Sequence, residues 1–113
     1  MQDCIYCKIV RDELPSTRLY EDDEILVFKD IAPQAPTHLL VIPKAHVLTS
    51  AADVTSENSA LVARCFEVIA MLAKRENLTD FRVVANSGKE AGQTVFHLHF
   101  HVLAGAAMSE NLV

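Results

Sequence analysis

The chain has 113 residues, half of them hydrophobic and 22% charged, with 15 Asp+Glu against 10 Lys+Arg and a formal net charge of −5. That length suits one domain with its own core, and the acidic balance argues against a surface built for nucleic acid or an anionic membrane, which needs a basic patch. No stretch approaches the ~20 apolar residues of a membrane span and no basic segment leads into an apolar run at the N-terminus, so the expected compartment is the cytoplasm.

Residues Cys4 to Arg11 read as a short helix or turn closed by Leu14-Pro15. Arg18–Glu21 and Ile25–Phe28 read as two strands joined across the acidic Asp22-Asp23 turn. The stretch from Asp30 to Thr37 is a proline-punctuated loop, since Pro33 and Pro36 forbid regular pairing. His38–Ile42 is a strand ended by Pro43, with Lys44-Ala45-His46 directly after it. Thr55 or Ser56 is placed to cap a long helix, with Glu57 in its first turn. Leu61, Cys65, Phe66, Ile69, Leu72 and Ala73 recur at helical spacing and give that helix one apolar face. Lys74 and Arg75 suit its last turn and Asn77 its cap. Asp80–Ala85 is a further strand, followed by a loop over Asn86–Gln93. Adjacent strands with one long helix indicate an α+β fold, an antiparallel sheet with the helix on one face.

Val95 to Leu103 alternates at period two, which predicts a strand with Phe96, Leu98, Phe100 and Val102 on one apolar face. His97, His99 and His101 then stand in a row on the other, wet face, about 6.6 Å apart. Three imidazoles in a row can serve as nucleophiles, proton carriers or metal ligands near neutral pH. All five histidines (His38, His46, His97, His99, His101) lie outside the helix, so the sheet is expected to gather them on one side. The chain has three cysteines. Cys65 falls on the helix's apolar face and reads as core, whereas Cys4 and Cys7 form a C-x-x-C. That pair fits a zinc site completed by two histidines, a pair of reduced thiols, or redox chemistry, the last disfavoured because no βαβ pattern follows. A histidine nucleophile would need its second ring nitrogen fixed by an acceptor and donors for developing phosphoryl charge. Gly88 and Gly92, with Gln93 and Thr94, offer close backbone approach and polar donors directly before the histidines.

These motifs resemble the histidine-triad (HIT) family in its Hint-like branch. His97-Leu98-His99-Phe100-His101-Val102-Leu103 matches the family's alternating histidine signature. Gly92-Gln93-Thr94-Val95-Phe96 and the block from Asp30 to Lys44 are similar to two further motifs of that branch. The resemblance runs from about Cys4 to Gly105 and implies a single HIT domain over 1–113. The fold it implies is an antiparallel sheet of about five strands, one long helix, a short N-terminal helix, and pairing into a homodimer. It implies a hydrolase that cleaves purine nucleoside phosphoramidates, of the adenosine 5′-monophosphoramidate type, through a nucleotidyl-histidine intermediate. A dinucleoside polyphosphate hydrolase or nucleotidyltransferase, and a non-catalytic nucleotide-binding regulatory module, are the alternative readings. By the same resemblance His99 is the nucleophile, His101 contacts phosphate and assists proton transfer, and His38 supports the triad. Asn86, Gly92, Gln93, Thr94 and Val95 match the phosphate and ribose region, and Phe28, Asp30 and Ile31 the nucleoside pocket of an AMP/GMP-type ligand. Zinc-binding bacterial relatives place their ligands at Cys4, Cys7, His46 and His97. The chain departs from many relatives in its short tail, Ser109–Val113, and in Ala91 where glycine is frequent.

Overall fold

The computed structural model describes residues 4–111, so the last two residues of the short tail lie outside it. Its elements in chain order are α1 (Ile5–Val10), β1 (Arg18–Glu21), β2 (Ile25–Lys29), β3 (Thr37–Pro43), α2 (Ser59–Arg75), β4 (Phe81–Val84) and β5 (Phe100–Ala104). The five strands form one antiparallel sheet in the order β1-β2-β3-β5-β4. The α+β reading therefore holds, with β1 and β4 at the edges.

Strand alternation sends the chain's apolar residues to two faces. Ile25, Val27, Leu39, Val41, Phe100 and Val102 pack with Cys65, Val68, Ile69 and Leu72 of α2. Leu26, Phe28, Leu40 and Ile42 point the other way and meet Tyr6 and Ile9 of α1. Burying such side chains contributes about 1.5–3 kcal/mol each, so α2 is held mainly by its apolar stripe. Its far end closes in a left-handed turn: Asn77 has φ 58°, and the Leu78 N–H reaches the Ala73 carbonyl at 2.7 Å. Arg64, on the same helix, reaches Asp22 Oδ2 at 2.6 Å and so ties the β1–β2 turn to α2.

Two sequence expectations are corrected. The long helix starts at Ser59 with Asn58 as its N-cap, one turn later than a Thr55 or Ser56 cap requires. Thr55 Oγ1 instead accepts from the Glu57 N–H, and Asn58 Oδ1 accepts from the Thr55 N–H, so these polar side chains close a turn ahead of the helix. The last strand is also shorter than the alternation indicates, starting at Phe100. Continuing it would pair Leu98 with Pro43, which has no N–H to give. The Pro43 carbonyl is taken by the His97 ring at 2.7 Å and the Leu98 N–H by the Leu48 carbonyl at 2.9 Å. Residues 95–99 therefore peel away from β3, and Phe96 is 48% exposed instead of joining the apolar face.

At the other end of β5, Gly105 has φ +97°, and a Cβ there would sit 2.9 Å from Pro36 Cβ. Only glycine lets the chain leave β5 against the loop that precedes β3.

Candidate active site and metal centre

The histidines do lie on one side of the sheet, but not on a wet face. Helix α1 covers them: Tyr6 meets His97 and His99 edge-on, with ring centroids 5.9 and 5.0 Å away. His97 is fully buried and His99 nearly so, leaving His101 the most open of the three. Burial pushes the His97 imidazole down to about 4 and lowers that of His99, so both are neutral rings at pH 7.

At one end of the row stand Cys4, Cys7, His46 and His97, whose donor atoms lie within 4.8 Å of one another. Cys4 caps α1 and its Sγ is 3.4 Å from His97 Nδ1. Cys7 Sγ is 3.3 Å from His46 Nδ1 and 3.6 Å from His97 Nδ1. A tetrahedral zinc with Zn–S of about 2.3 Å and Zn–N of about 2.05 Å has S···N edges of about 3.5–3.6 Å. The observed spacings fit that cage to within a few tenths of an ångström. Ring orientation fits as well. His46 Nε2 donates to the Phe96 carbonyl at 2.8 Å and His97 Nε2 to that of Pro43 at 2.7 Å. Each Nδ1 therefore keeps its lone pair turned toward the sulfurs, the arrangement that carbonyl partners give a ligand histidine. Burial, and then Cys4 alongside, raise the Cys7 thiol, a penalty that a divalent cation reverses.

At the other end, His38 on β3 lies diagonally across the ladder from His101 on β5. His38 Nε2 is 2.8 Å from His101 Nδ1 and 3.4 Å from Asp30 Oδ2, while the Gln34 N–H donates to His38 Nδ1 at 3.0 Å. His99 stands between the two groups, with its centroid 5.0 Å from that of His101. Its Nδ1 donates to the His97 carbonyl at 2.8 Å, which leaves the Nε2 lone pair free. A neutral imidazole held this way can act as a nucleophile at a phosphorus or carbonyl centre.

The other residues singled out in the sequence are spread around this row. Asp30 is half-buried and its Oδ1 accepts from the Ala32 N–H. Phe28 is buried against Tyr6, whereas Ile31 is 96% exposed. Asn86 Nδ2 holds the Ala91 carbonyl at 2.7 Å, Gly92 takes φ +92°, Thr94 is exposed and Val95 is half-buried. Gln93 is buried, with Nε2 donating to the Thr49 and Val95 carbonyls and Oε1 accepting from the Gly88 N–H. Its amide thus serves as a brace for the loop.

Tyr6 and Gln34 were missed by the sequence reading. Tyr6 falls between two cysteines, and its spacing from Ile9 was the one sign that it faces inward. Gln34 acts through its backbone, which no residue pattern reveals. A cleft of about 700 Å³ opens elsewhere, between residues 77–82 and 104–108.

Residues 3–112 match the family described as "Scavenger mRNA decapping enzyme C-term binding". The chain is 36% identical to the purine nucleoside phosphoramidase of Escherichia coli (strain K12) over 113 residues, 98% of this chain and 94% of that protein. It is 43% identical to a 14 kDa zinc-binding protein of Zea mays over 107 residues, 93% of this chain and 84% of that one. Among solved structures, a HIT family hydrolase from Clostridium thermocellum superposes with a TM-score of 0.94 at 36% identity, over 100% of this chain and 99% of that one.

His101 faces His99, His38 and Asp30. Burial pushes its imidazole down to about 4, with the two neighbouring histidines adding and Asp30 opposing. An unfolded histidine titrates near 6.5, so between about pH 6.5 and 4 the unfolded chain binds a proton that the folded chain does not. The stability this neutral ring contributes is fully present above about pH 6.5 and is lost as the pH falls toward 4. Urea midpoints of the wild type should fall across that window, and those of His101→Gln should fall less steeply. Equal slopes would assign the acid sensitivity to other groups.

Proposed function

The chain belongs to the histidine-triad family of nucleotide hydrolases, and on that premise we propose that it cleaves purine nucleoside phosphoramidates through a covalent intermediate on His99. The observation that carries this reading is the His99 Nδ1–His97 carbonyl bond of 2.8 Å, which leaves Nε2 as a free nucleophile beside His101. His99 Nε2 attacks the α-phosphorus and forms an N–P bond. The P–N bond breaks, its electron pair departing with the amine nitrogen, which takes up a proton from His101, and His101 regains one from the water that attacks next. Water then attacks phosphorus, the histidine–phosphorus bond breaks, and the nucleoside monophosphate leaves. Splitting one displacement in two lowers each barrier.

His101 contacts the phosphoryl oxygens, and His38 and Asp30 orient it. Asn86, Gly92, Thr94 and Val95 form the phosphate and ribose side, shaped from within by Gln93. Phe28, Asp30 and Ile31 line the nucleoside side, with the Asp30 carboxylate accepting from ribose hydroxyls. The exposure of Ile31 suits a side chain that meets its partner only when a purine binds.

We further propose that Cys4, Cys7, His46 and His97 hold one zinc ion, supported by the donor spacing and by the zinc-binding relative. Bound there, zinc supplies a cross-link among α1, the segment after β3 and the segment before β5. Free thiols at such a site suit a reducing compartment, in keeping with the cytoplasm. The open edge at β4, with Phe81 39% exposed, is proposed to pair with a second copy, since an uncovered edge strand invites association.

Incubated briefly with an adenosine phosphoramidate and quenched without acid, the wild type should turn over and carry an adenylyl adduct by intact mass, and His99→Ala should do neither. A wild type that binds nucleotide with no turnover and no adduct would favour a binding module, and an adduct on His99→Ala would place the nucleophile elsewhere. Elemental analysis should find one zinc per chain, kept in His99→Ala and lost in Cys7→Ser together with several degrees of melting temperature. Metal retained by Cys7→Ser would reject the ligand set. Sedimentation should give twice the 12.5 kDa chain mass, with Phe81→Asp shifting the protein toward monomer. A monomeric wild type at micromolar concentration would dismiss the pairing.

A further inference from the structure

Adjacent triad histidines need opposite ring tautomers if one is to attack and the other to bind, and the hydrogen bonds around His38 bear directly on that choice. The Gln34 amide is a donor with no lone pair, so the nitrogen it meets, His38 Nδ1 at 3.0 Å, must be the bare one. The hydrogen of a neutral His38 is then on Nε2. That hydrogen lies between Asp30 Oδ2 at 3.4 Å and His101 Nδ1 at 2.8 Å, with the shorter contact to His101. His101 Nδ1 therefore accepts, and its own hydrogen must sit on Nε2. His38 is buried and His101 half-buried, so the shared bond is partly shielded from solvent.

We infer that the backbone amide of Gln34, acting through His38, fixes His101 as the Nε2–H tautomer, making His101 a hydrogen-bond donor to the phosphoryl oxygens and barring it from acting as a second nucleophile. This rests on the proposed phosphoryl chemistry for its consequence but not for its geometry. His99 is held in the reverse state, because its Nδ1 must donate to a carbonyl. Two ring nitrogens at equivalent positions on neighbouring residues thus carry a lone pair in one case and a hydrogen in the other. The choice is made by one backbone acceptor and one backbone donor. Gln34 and His38 are positioning residues in this scheme. The Gln34 side chain takes no part, since its Nε2 turns away to the Ala32 carbonyl at 3.2 Å.

The test is a long-range proton–nitrogen correlation spectrum of protein labelled with ¹⁵N-histidine at neutral pH and in its metal-loaded form, which reports which ring nitrogen bears hydrogen. His101 and His38 should both show hydrogen on Nε2 and a bare Nδ1, unchanged in Gln34→Ala, which keeps the amide. Gln34→Pro, which removes it, and His38→Leu, which removes the relay, should both leave His101 as a mixture of tautomers. Pairing the two makes the result independent of whether proline is accommodated. His38→Gln, whose Nε2 can still donate, should restore the single state. With an adenosine phosphoramidate, His38→Leu should lose on the order of 10²-fold in kcat, the low end of what a positioned proton-bearing group contributes, with KM little changed and His38→Gln recovering most of it. Hydrogen on His101 Nδ1 in the wild type, or an unchanged His101 pattern in His38→Leu, would overturn the inference. The spectrum decides this even if the protein turns over no phosphoramidate, so the two readings fail separately.

Discussion

His97 is the residue on which the rest of the site depends, because its two ends serve different chemistry. Its ring turns toward Cys4 and Cys7, held there by the Pro43 carbonyl, while its own carbonyl accepts from the ring of His99. A ligand cage that fixes the ring also limits how the backbone can rotate, and the backbone sets which nitrogen of His99 is bare. One residue thus links the Cys/His cluster to the ring of His99. Segments from three parts of the chain (α1, the turn after β3 and the approach to β5) converge on that residue, so neither cluster can shift without the other.

Burial under α1 governs the electrostatics. Asp30 is the charged group that acts on both His99 and His101, and it opposes the desolvation that lowers them. Desolvation lowers both imidazoles, so the row works with neutral rings and its selectivity comes from tautomers. In the proposed chemistry, such a site would meet phosphate through oriented N–H groups. A neutral ring also keeps the lone pair that a nucleophile needs, which protonation would remove.

The fold was largely legible because its signals are local. Short runs bounded by the Asp22-Asp23 turn, the proline loop and Pro43 marked the strands before α2. The apolar stripe of α2 named Cys65, Ile69 and Leu72, which meet the sheet, though not Val68. The same local rule failed at Val95–His99, where a strand needs partners as well as a pattern. Pro43 withholds one, and the Leu98 N–H finds Leu48 instead. Thr55 misled for a related reason, since a hydroxyl that can cap a helix can also close a turn in front of it. At the site, residue types announced Cys4, Cys7 and the five histidines. Tyr6 stayed hidden because an aromatic between cysteines is ordinary core until α1 is seen lying over the triad. Gln34 was invisible in principle, its contribution being an amide that every non-proline residue possesses.

Assigning tautomers through backbone groups has a physical advantage. A carboxylate or hydroxyl partner can titrate, rotate or accept a competing bond, and the ring it orients follows. A peptide carbonyl has no hydrogen to give and an amide no lone pair to offer, so each dictates its partner's state whatever the pH near neutrality. The His97 carbonyl and the Gln34 amide are moreover anchored by different means. One sits in a segment braced by Gln93, Leu48 and the ligand cluster, and the other in a loop stiffened by Pro33 and Pro36. Opposite identities for His99 and His101 therefore follow from where two peptide groups are held, and chemically identical side chains become different reagents.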